Sequence, residues 1–389
     1  MILHVFLTPF THESRALKEI HSVLRARLTD RVEVAAVWDE GLAEREELEP
    51  GASVWRVRLR SKSWPKNTLV QLLKYVEWLT KICRAYRGKD VRLVHCHSLS
   101  ALPVGFCLKL LSRAPVLYDA HELETETGAL AGLRKRCAKA MERFLIRRVV
   151  AVLVVSAPIA RWYERVYSLR NVYLVRNMPR RPRGEVHKSP VFRAKFGIPE
   201  NELIFLYQGI LGASRGIAAL LNAFSTRPDR NQHIVFMGYG PMAKEIRRLS
   251  VSVPTIHYHP PVPPGEVLDF TCGADVGVSL AEKVSLSYFY GLPNKLFEYL
   301  FAGLPVIVSD IPEMAAIVTE NDCGWIVERT QNALIGTLAK IDRNKVEQKR
   351  MNLSSLSRRY GWEQDEPDLL QVVRQIMAPA TEDGSSKGA

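Results

Sequence analysis

The chain has 389 residues, too many for one ordinary domain and about right for two. Hydrophobic residues make up 47% and charged residues 24%, the balance of a soluble globular protein. The six cysteines form no CxxC pair and no zinc-ligand spacing, so they read as small core residues of a reducing compartment. The formal net charge is +13 and is uneven: residues 131–195 hold seventeen Lys or Arg against Glu142, Glu164 and Glu185. Such a block can face nucleic acid, an anionic membrane or an anionic ligand, or simply solvate a set of helices.

The first residues, Met1-Ile2-Leu3-His4-Val5-Phe6-Leu7, are apolar but lack the basic lead and cleavage site of a signal peptide, so they read as a strand. The longest apolar stretch, 149–160, is too short to span a bilayer. A cytoplasmic protein without a membrane-spanning helix is expected. Short β-branched runs alternate with amphipathic stretches, the pattern of parallel α/β sheets. Strands are expected at 2–7, 32–37, 54–57, 93–96, 116–118, 151–155 and 172–175, with helices between them such as 14–28 and 68–86. Residues 180–190, rich in Pro, Arg and Gly, read as a linker. A second series follows, with strands at 204–207, 233–237, 255–258, 276–279, 306–309 and 324–327. A last helix is expected at 367–377 with Pro367 in its first position, then a disordered tail from Pro379. Each half is expected to be a doubly wound sheet that binds ligands at the carboxyl ends of its strands.

The strongest chemical signal is Leu292-Pro293-Asn294-Lys295-Leu296-Phe297-Glu298-Tyr299-Leu300, followed by Ala302-Gly303-Leu304-Pro305-Val306. Pro293 and Asn294 open a helix, Gly303 caps its far end in the left-handed conformation, and a buried strand follows. A helix N-terminus suits an anion, and a carboxylate one turn inside, Glu298, suits a ribose diol. Taken alone, the stretch is equally an ordinary capped helix with a solvent-facing Glu.

The whole arrangement resembles the retaining GT-B glycosyltransferases, specifically glycosyltransferase family 4 of the bacterial surface-polysaccharide type. That family carries Glu-x7-Glu before a Gly-x-Pro-Val strand. Here the second Glu falls on Glu298, while Tyr290 stands in place of the first. Gln208-Gly209 followed by Arg215-Gly216-Ile217 is similar to the family's diphosphate loop, with Arg215 as its second basic residue. The first is missing, and Lys295 is a candidate to supply that cation. Phe236-Met237-Gly238-Tyr239-Gly240-Pro241 resembles the turn that sets backbone near the base, and Tyr118-Asp119-Ala120-His121 carries the family's active-site histidine.

The resemblance implies a GT-B fold: two Rossmann-like domains facing across a cleft, 1–180 on the acceptor side and 190–360 on the donor side, with 361–378 packing back on the first. It implies His121, Arg215 and Glu298 as catalytic residues. Gly209, Arg215, Gly238, Tyr290, Asn294, Lys295 and Glu298 are implied as donor-binding. His12 and Arg15, at the start of the first helix, are candidates for acceptor contacts. The co-substrate is a nucleotide-diphosphate sugar; no metal and no further cofactor is expected, and the partner is a glycan or lipid-linked acceptor. Residues 67–87 and 134–148 read as basic amphipathic helices that could dock on an anionic membrane, or whose apolar sides are simply core.

A nucleotide-sugar epimerase shares this fold and is the alternative. A nucleic-acid binder is a remote one, since the basic block lacks interleaved aromatic platforms. No GxSxG or P-loop pattern is present, and no GxGxxG follows the first strand.

Overall fold

The structure, a computed structural model, describes residues 1–11, 13–128, 130–182, 184, 186–226, 231–328 and 330–378. His12 and the tail from Pro379 lie outside the described residues.

The first sheet contains β1 Ile2–Val5, β2 Val32–Val37, β3 Arg45–Glu49, β4 Ala52–Val57, β5 Leu93–His97, β6 Val116–Ala120, β7 Ala151–Val154 and β8 Val172–Leu174. Their order is β3-β4-β2-β1-β5-β6-β7-β8. All neighbours are parallel except β3 and β4. The parallel strands read as continuous apolar runs because helices cover both faces. β3 was not expected from sequence. Its Arg45-Glu46-Glu47-Leu48-Glu49 shows no apolar alternation, because it is a charged edge strand laid antiparallel along β4.

The second sheet contains β9 Leu203–Ile210, β10 Gln232–Tyr239, β11 Ile256–His259, β12 Val276–Ser279, β13 Val306–Ser309 and β14 Gly324–Val327. All are parallel, in the order β11-β10-β9-β12-β13-β14. Alternation along β9 feeds two cores. Ile204 and Leu206 pack on one side with Phe297 and Leu300, and Phe205 and Tyr207 on the other with Leu220 and Phe236. In each sheet the strand order reverses at one place, between β1 and β5 and between β9 and β12. Such switch points are where open α/β sheets bind ligands.

The chain divides into two compact units. One is Met1–Thr125, Leu130–Val175 and Glu366–Ala389; the other is Glu126–Ala129 and Arg176–Asp365. The last helix, Trp362–Met377, joins the first unit through Glu366, which accepts from the Ser22 hydroxyl at 2.5 Å and from Arg25 at 2.6 Å. Pro367 is therefore inside this helix, not at its first position. The helix begins five residues earlier because Trp362 is buried there and its N–H donates to the Pro179 carbonyl. Among the described residues no helix is long and apolar enough to cross a membrane.

Candidate active site

In the second unit, β9 and β12 pair only at Phe205–Val276 and Leu206–Gly277, then part. Tyr299, from the helix Asn294–Phe301, fills the opening. Its hydroxyl accepts from the Gln208 N–H at 2.9 Å and donates to the Val278 carbonyl at 3.2 Å. Gly277 makes room for the ring, since a Cβ there would lie 2.2 Å from it. Tyr299 thereby fixes the register of its helix against the strand ends, and with it Glu298 and Lys295. The Glu298 carboxylate accepts from the Gln208 side-chain amide at 2.5 Å. The Lys295 ammonium sits 3.8 Å above the Tyr207 ring. It would also lie 3.8 Å from a Cβ at Gly209, whose φ of +109° favours glycine.

Arg215 precedes the helix Ile217–Thr226, where its charge acts on the Tyr207 hydroxyl and on the Lys295 ammonium. Two cations therefore converge on one tyrosine at the end of β9. Burial and the Arg215 charge pull the Lys295 ammonium down to about 7, with Glu298 opposing. Gly238 lies opposite Gly209 on the neighbouring strand, and a Cβ on it would fall 1.9 Å from the Gly209 carbonyl oxygen. Asn294 is the first helical residue, and Pro293 occupies the N-cap without a side-chain hydrogen bond. Gly303 follows the helix with φ of +73°. Tyr290 ends the preceding short helix Leu286–Tyr290, its ring against Phe289. Gln208 and Tyr299 escape sequence reading because their roles exist only once β9 and the helix meet.

In the first unit, His121 follows β6 with its side chain 35% exposed, and beneath it runs a buried polar chain. His121 Nε2 lies 3.1 Å from Asp119 Oδ2 and 3.1 Å from His97 Nδ1; His97 Nε2 lies 2.9 Å from His4 Nδ1. Arg15 closes the set, donating from Nε and Nη2 to the two Asp119 oxygens at 2.8 Å and from Nη1 to the Val175 carbonyl at 2.7 Å. Burial opposes ionisation of Asp119, but Arg15, His121 and His97 hold its carboxyl well below the usual range. Burial and the Asp119 charge push the Glu19 carboxyl well up, and burial brings His97 down to about 4.

Arg15, expected to touch an acceptor, is instead 3% exposed. Its guanidinium is committed to Asp119, Glu19 and the Val175 carbonyl. Period-two spacing of His95 and His97 on β5 was the available signal for the rest of the set. His4, Glu19, His95 and His97 also offer donor atoms within 4.8 Å of one another, which a divalent ion could use. The Arg15 guanidinium, 3.0 Å from Glu19, already supplies a cation there, and the contact between His4 and His97 has hydrogen-bond length.

Comparison with known proteins bears on the family and the fold. The family described as "Glycosyl transferases group 1" matches residues 188–359, and "Glycosyl transferase 4-like domain" matches residues 19–178. No curated protein matches by sequence. Among solved structures, the chain is similar to sucrose-phosphate synthase from Thermosynechococcus elongatus, at 18% identity and TM-score 0.74 over 96% of this chain and 98% of that one. It is similar to Anabaena HepE in complex with UDP-glucose, at 15% identity and TM-score 0.69 over 96% and 98%. It is also similar to WaaG, a glycosyltransferase involved in lipopolysaccharide biosynthesis, at 15% identity and TM-score 0.67 over 97% and 100%. With a glycosyltransferase family model matched on each half of the chain and both sheets wound as in these structures, the chain is a glycosyltransferase of the GT-B fold.

Proposed function

We propose that this enzyme moves a sugar from a nucleotide-diphosphate sugar to a glycan or lipid-linked acceptor, with retention of configuration, in the assembly of a cell-surface polysaccharide. The observation that carries the reading is the convergence of Arg215 and Lys295 at the end of β9, beside a carboxylate held by Gln208. The two cations neutralise charge growing on the leaving diphosphate. Glu298 accepts from the ribose diol, and Gly209 and Gly238 let backbone approach the nucleotide. Asn294 presents the helix N-terminus, and Tyr290 stands beside the donor where relatives use Glu. His121 acts on the transferring sugar. The bond from the anomeric carbon to the diphosphate oxygen breaks as the acceptor oxygen bonds to that carbon on the same face. The nucleoside diphosphate leaves with the acceptor's proton. The complexes of HepE favour a UDP-sugar, and the role of WaaG favours a surface glycan.

A thermal-shift screen of nucleotide sugars tests the donor, because a ligand of the native state raises Tm. Glu298→Gln should lose most of the preference for ribose over 2′-deoxyribose donors. Equal discrimination by both proteins would remove Glu298 from the ribose. Conversion of the donor sugar to an epimer without acceptor would favour the epimerase instead.

The acceptor side is proposed to work at the cytoplasmic face of an anionic membrane. The helix Thr68–Tyr86 has two apolar stripes. Trp78, Ile82 and Tyr86 are core, whereas Leu69, Leu72, Leu73 and Val76 are 66, 57, 46 and 46% exposed at helical spacing. The helix Gly132–Ile146 adds exposed Leu133, Met141 and Phe144 among Arg134, Lys135, Arg136 and Lys139, and Arg134 hydrogen-bonds Thr68 of the first helix. Each basic residue near an anionic surface is worth about 1 kcal/mol. Co-sedimentation should occur with anionic vesicles, fail with neutral ones and weaken at high salt; no binding to anionic vesicles at low salt would point to a soluble acceptor.

A further inference from the structure

A cavity of about 380 Å³ opens in the first unit at the carboxyl ends of β1, β2 and β4, on the far side of that sheet's switch point from His121. This is ample for a small ligand. Its floor is apolar: Leu7, Val37, Leu59, Trp38 and Trp78. Its charged lining is mostly cationic. Lys62, Lys66 and Lys74 face one carboxylate, Asp39, leaving a surplus of two positive charges. Lys62 spends its charge on Asp39, at 2.7 Å. Lys74 donates to the carbonyls of Lys62 and Trp64 at 2.9 and 2.8 Å, which pins the loop before the helix and holds its ammonium at the cavity. Lys66 is exposed and has no ion pair or hydrogen bond among the described residues. Gln71, Lys74, Tyr75 and Trp78 line the cavity at spacings of three and four, so they share the helix face opposite the exposed leucines.

We infer that this cavity binds the phosphate of the acceptor: a sugar carried on a phosphate or diphosphate ester, its charge met by Lys66 and Lys74 and its apolar flank by Trp38, Leu59 and Trp78. The inference rests on the glycosyltransferase reading and adds to it the chemical class of the acceptor. A neutral glycan would not call for two surplus cations over an apolar floor. Lysine is a point-charge phosphate binder that needs no fixed planar geometry from the ester's free oxygens. The same chemistry can come from a lipid-linked sugar phosphate or from a free one.

The test is calorimetric titration of the full chain at low ionic strength with geranyl phosphate, geraniol, glucose 1-phosphate and glucose. Each phosphate should bind on the order of tenfold or more tighter than its neutral counterpart. Lys66→Glu should abolish that difference while UDP-glucose binding and Tm stay unchanged. Preference for geranyl phosphate over glucose 1-phosphate assigns the phosphate to a lipid, and the reverse assigns it to a soluble sugar phosphate; either supports the site. Equal binding of geraniol and geranyl phosphate together with equal binding of glucose and glucose 1-phosphate, or phosphate binding unaffected in Lys66→Glu, would overturn it. Failure of UDP-glucose and of every other nucleotide sugar to bind the wild type would count against the donor reading, independently of this cavity.

Discussion

Arg15 grips Asp119 with two parallel hydrogen bonds, both 2.8 Å, in a place where neither side chain reaches solvent. The pair sits directly below His121, whose Nε2 meets the same Asp119 oxygen that Arg15 Nε does. The histidine is thus oriented by a carboxylate that cannot swing, because a guanidinium fork holds both its oxygens.

Arg15→Lys keeps the charge but loses the fork. It should lower stability by about 1.5–3 kcal/mol, the range for losing a hydrogen bond to a charged group. It should also lower kcat more than donor KM, because His121 loses its fixed orientation. Urea denaturation and donor-saturation kinetics check both. A variant as stable as wild type would show that the fork carries nothing.

Glu19 gives a pH signature of opposite sign to that of Asp119. Its carboxyl is pushed well above the unfolded value by burial and the Asp119 charge. The fold therefore favours the neutral acid. That contribution is fully present below about pH 4.3, the unfolded value, and is lost as pH rises through the folded one. Glu19→Gln is neutral at every pH and should gain stability relative to wild type as pH rises from 5 to 8. Stability curves that stay parallel over that range would rule the reading out.

Lys295 titrates at about 7 in the free protein, because burial and Arg215 disfavour its charge. Under the proposed reading the donor diphosphate sits against Lys295 and favours the ammonium, so donor binding above pH 7 takes up a proton. Donor KM should therefore rise between pH 7 and 9. Lys295→Arg should flatten the rise, since a guanidinium stays charged. Lys295→Met should raise KM at pH 6 and change it little at pH 9. A wild-type KM constant across this range would separate Lys295 from the diphosphate.

The periodic parts of the fold were legible. β2, β12, β13 and β14 fall where their short apolar runs place them; β12 and β13 are buried throughout, while β14 is an edge strand that leaves Ile326 38% exposed. Arg215, Lys295 and Glu298 stood out through local motifs, and the structure brings them to one strand end. What the sequence hid is whatever depends on distant segments meeting. The core of Arg15 and Asp119 joins residues 104 apart, and Gln208 and Glu298 are 90 apart. Arg15 at a helix start reads as surface charge until the sheet beneath it is known. The charged edge strand β3 was hidden for the converse reason, since it is held by pairing with β4 and not by an apolar face.

Gly238 is the most exacting backbone position of the second unit. Its φ is +151°, and a Cβ would stand 1.9 Å from the Gly209 carbonyl oxygen, far inside van der Waals contact. That oxygen belongs to a main-chain strand and cannot move as a flexible side chain would. Gly238→Ala must therefore push β9 and β10 apart at the end that carries Lys295, Arg215 and the turn at Gly209. Overpacking of this kind costs about 1–3 kcal/mol and backbone strain adds to it. Gly303→Ala is the control: its φ is +73°, but nothing lies within 4 Å of the added carbon, so only the conformational cost of about 1 kcal/mol applies. Chemical denaturation should place Gly238→Ala well below Gly303→Ala, and only the former should lose affinity for nucleotide sugar. Equal stability of the two variants would mean that the strands relax freely at this end, and that the donor loop does not depend on their spacing.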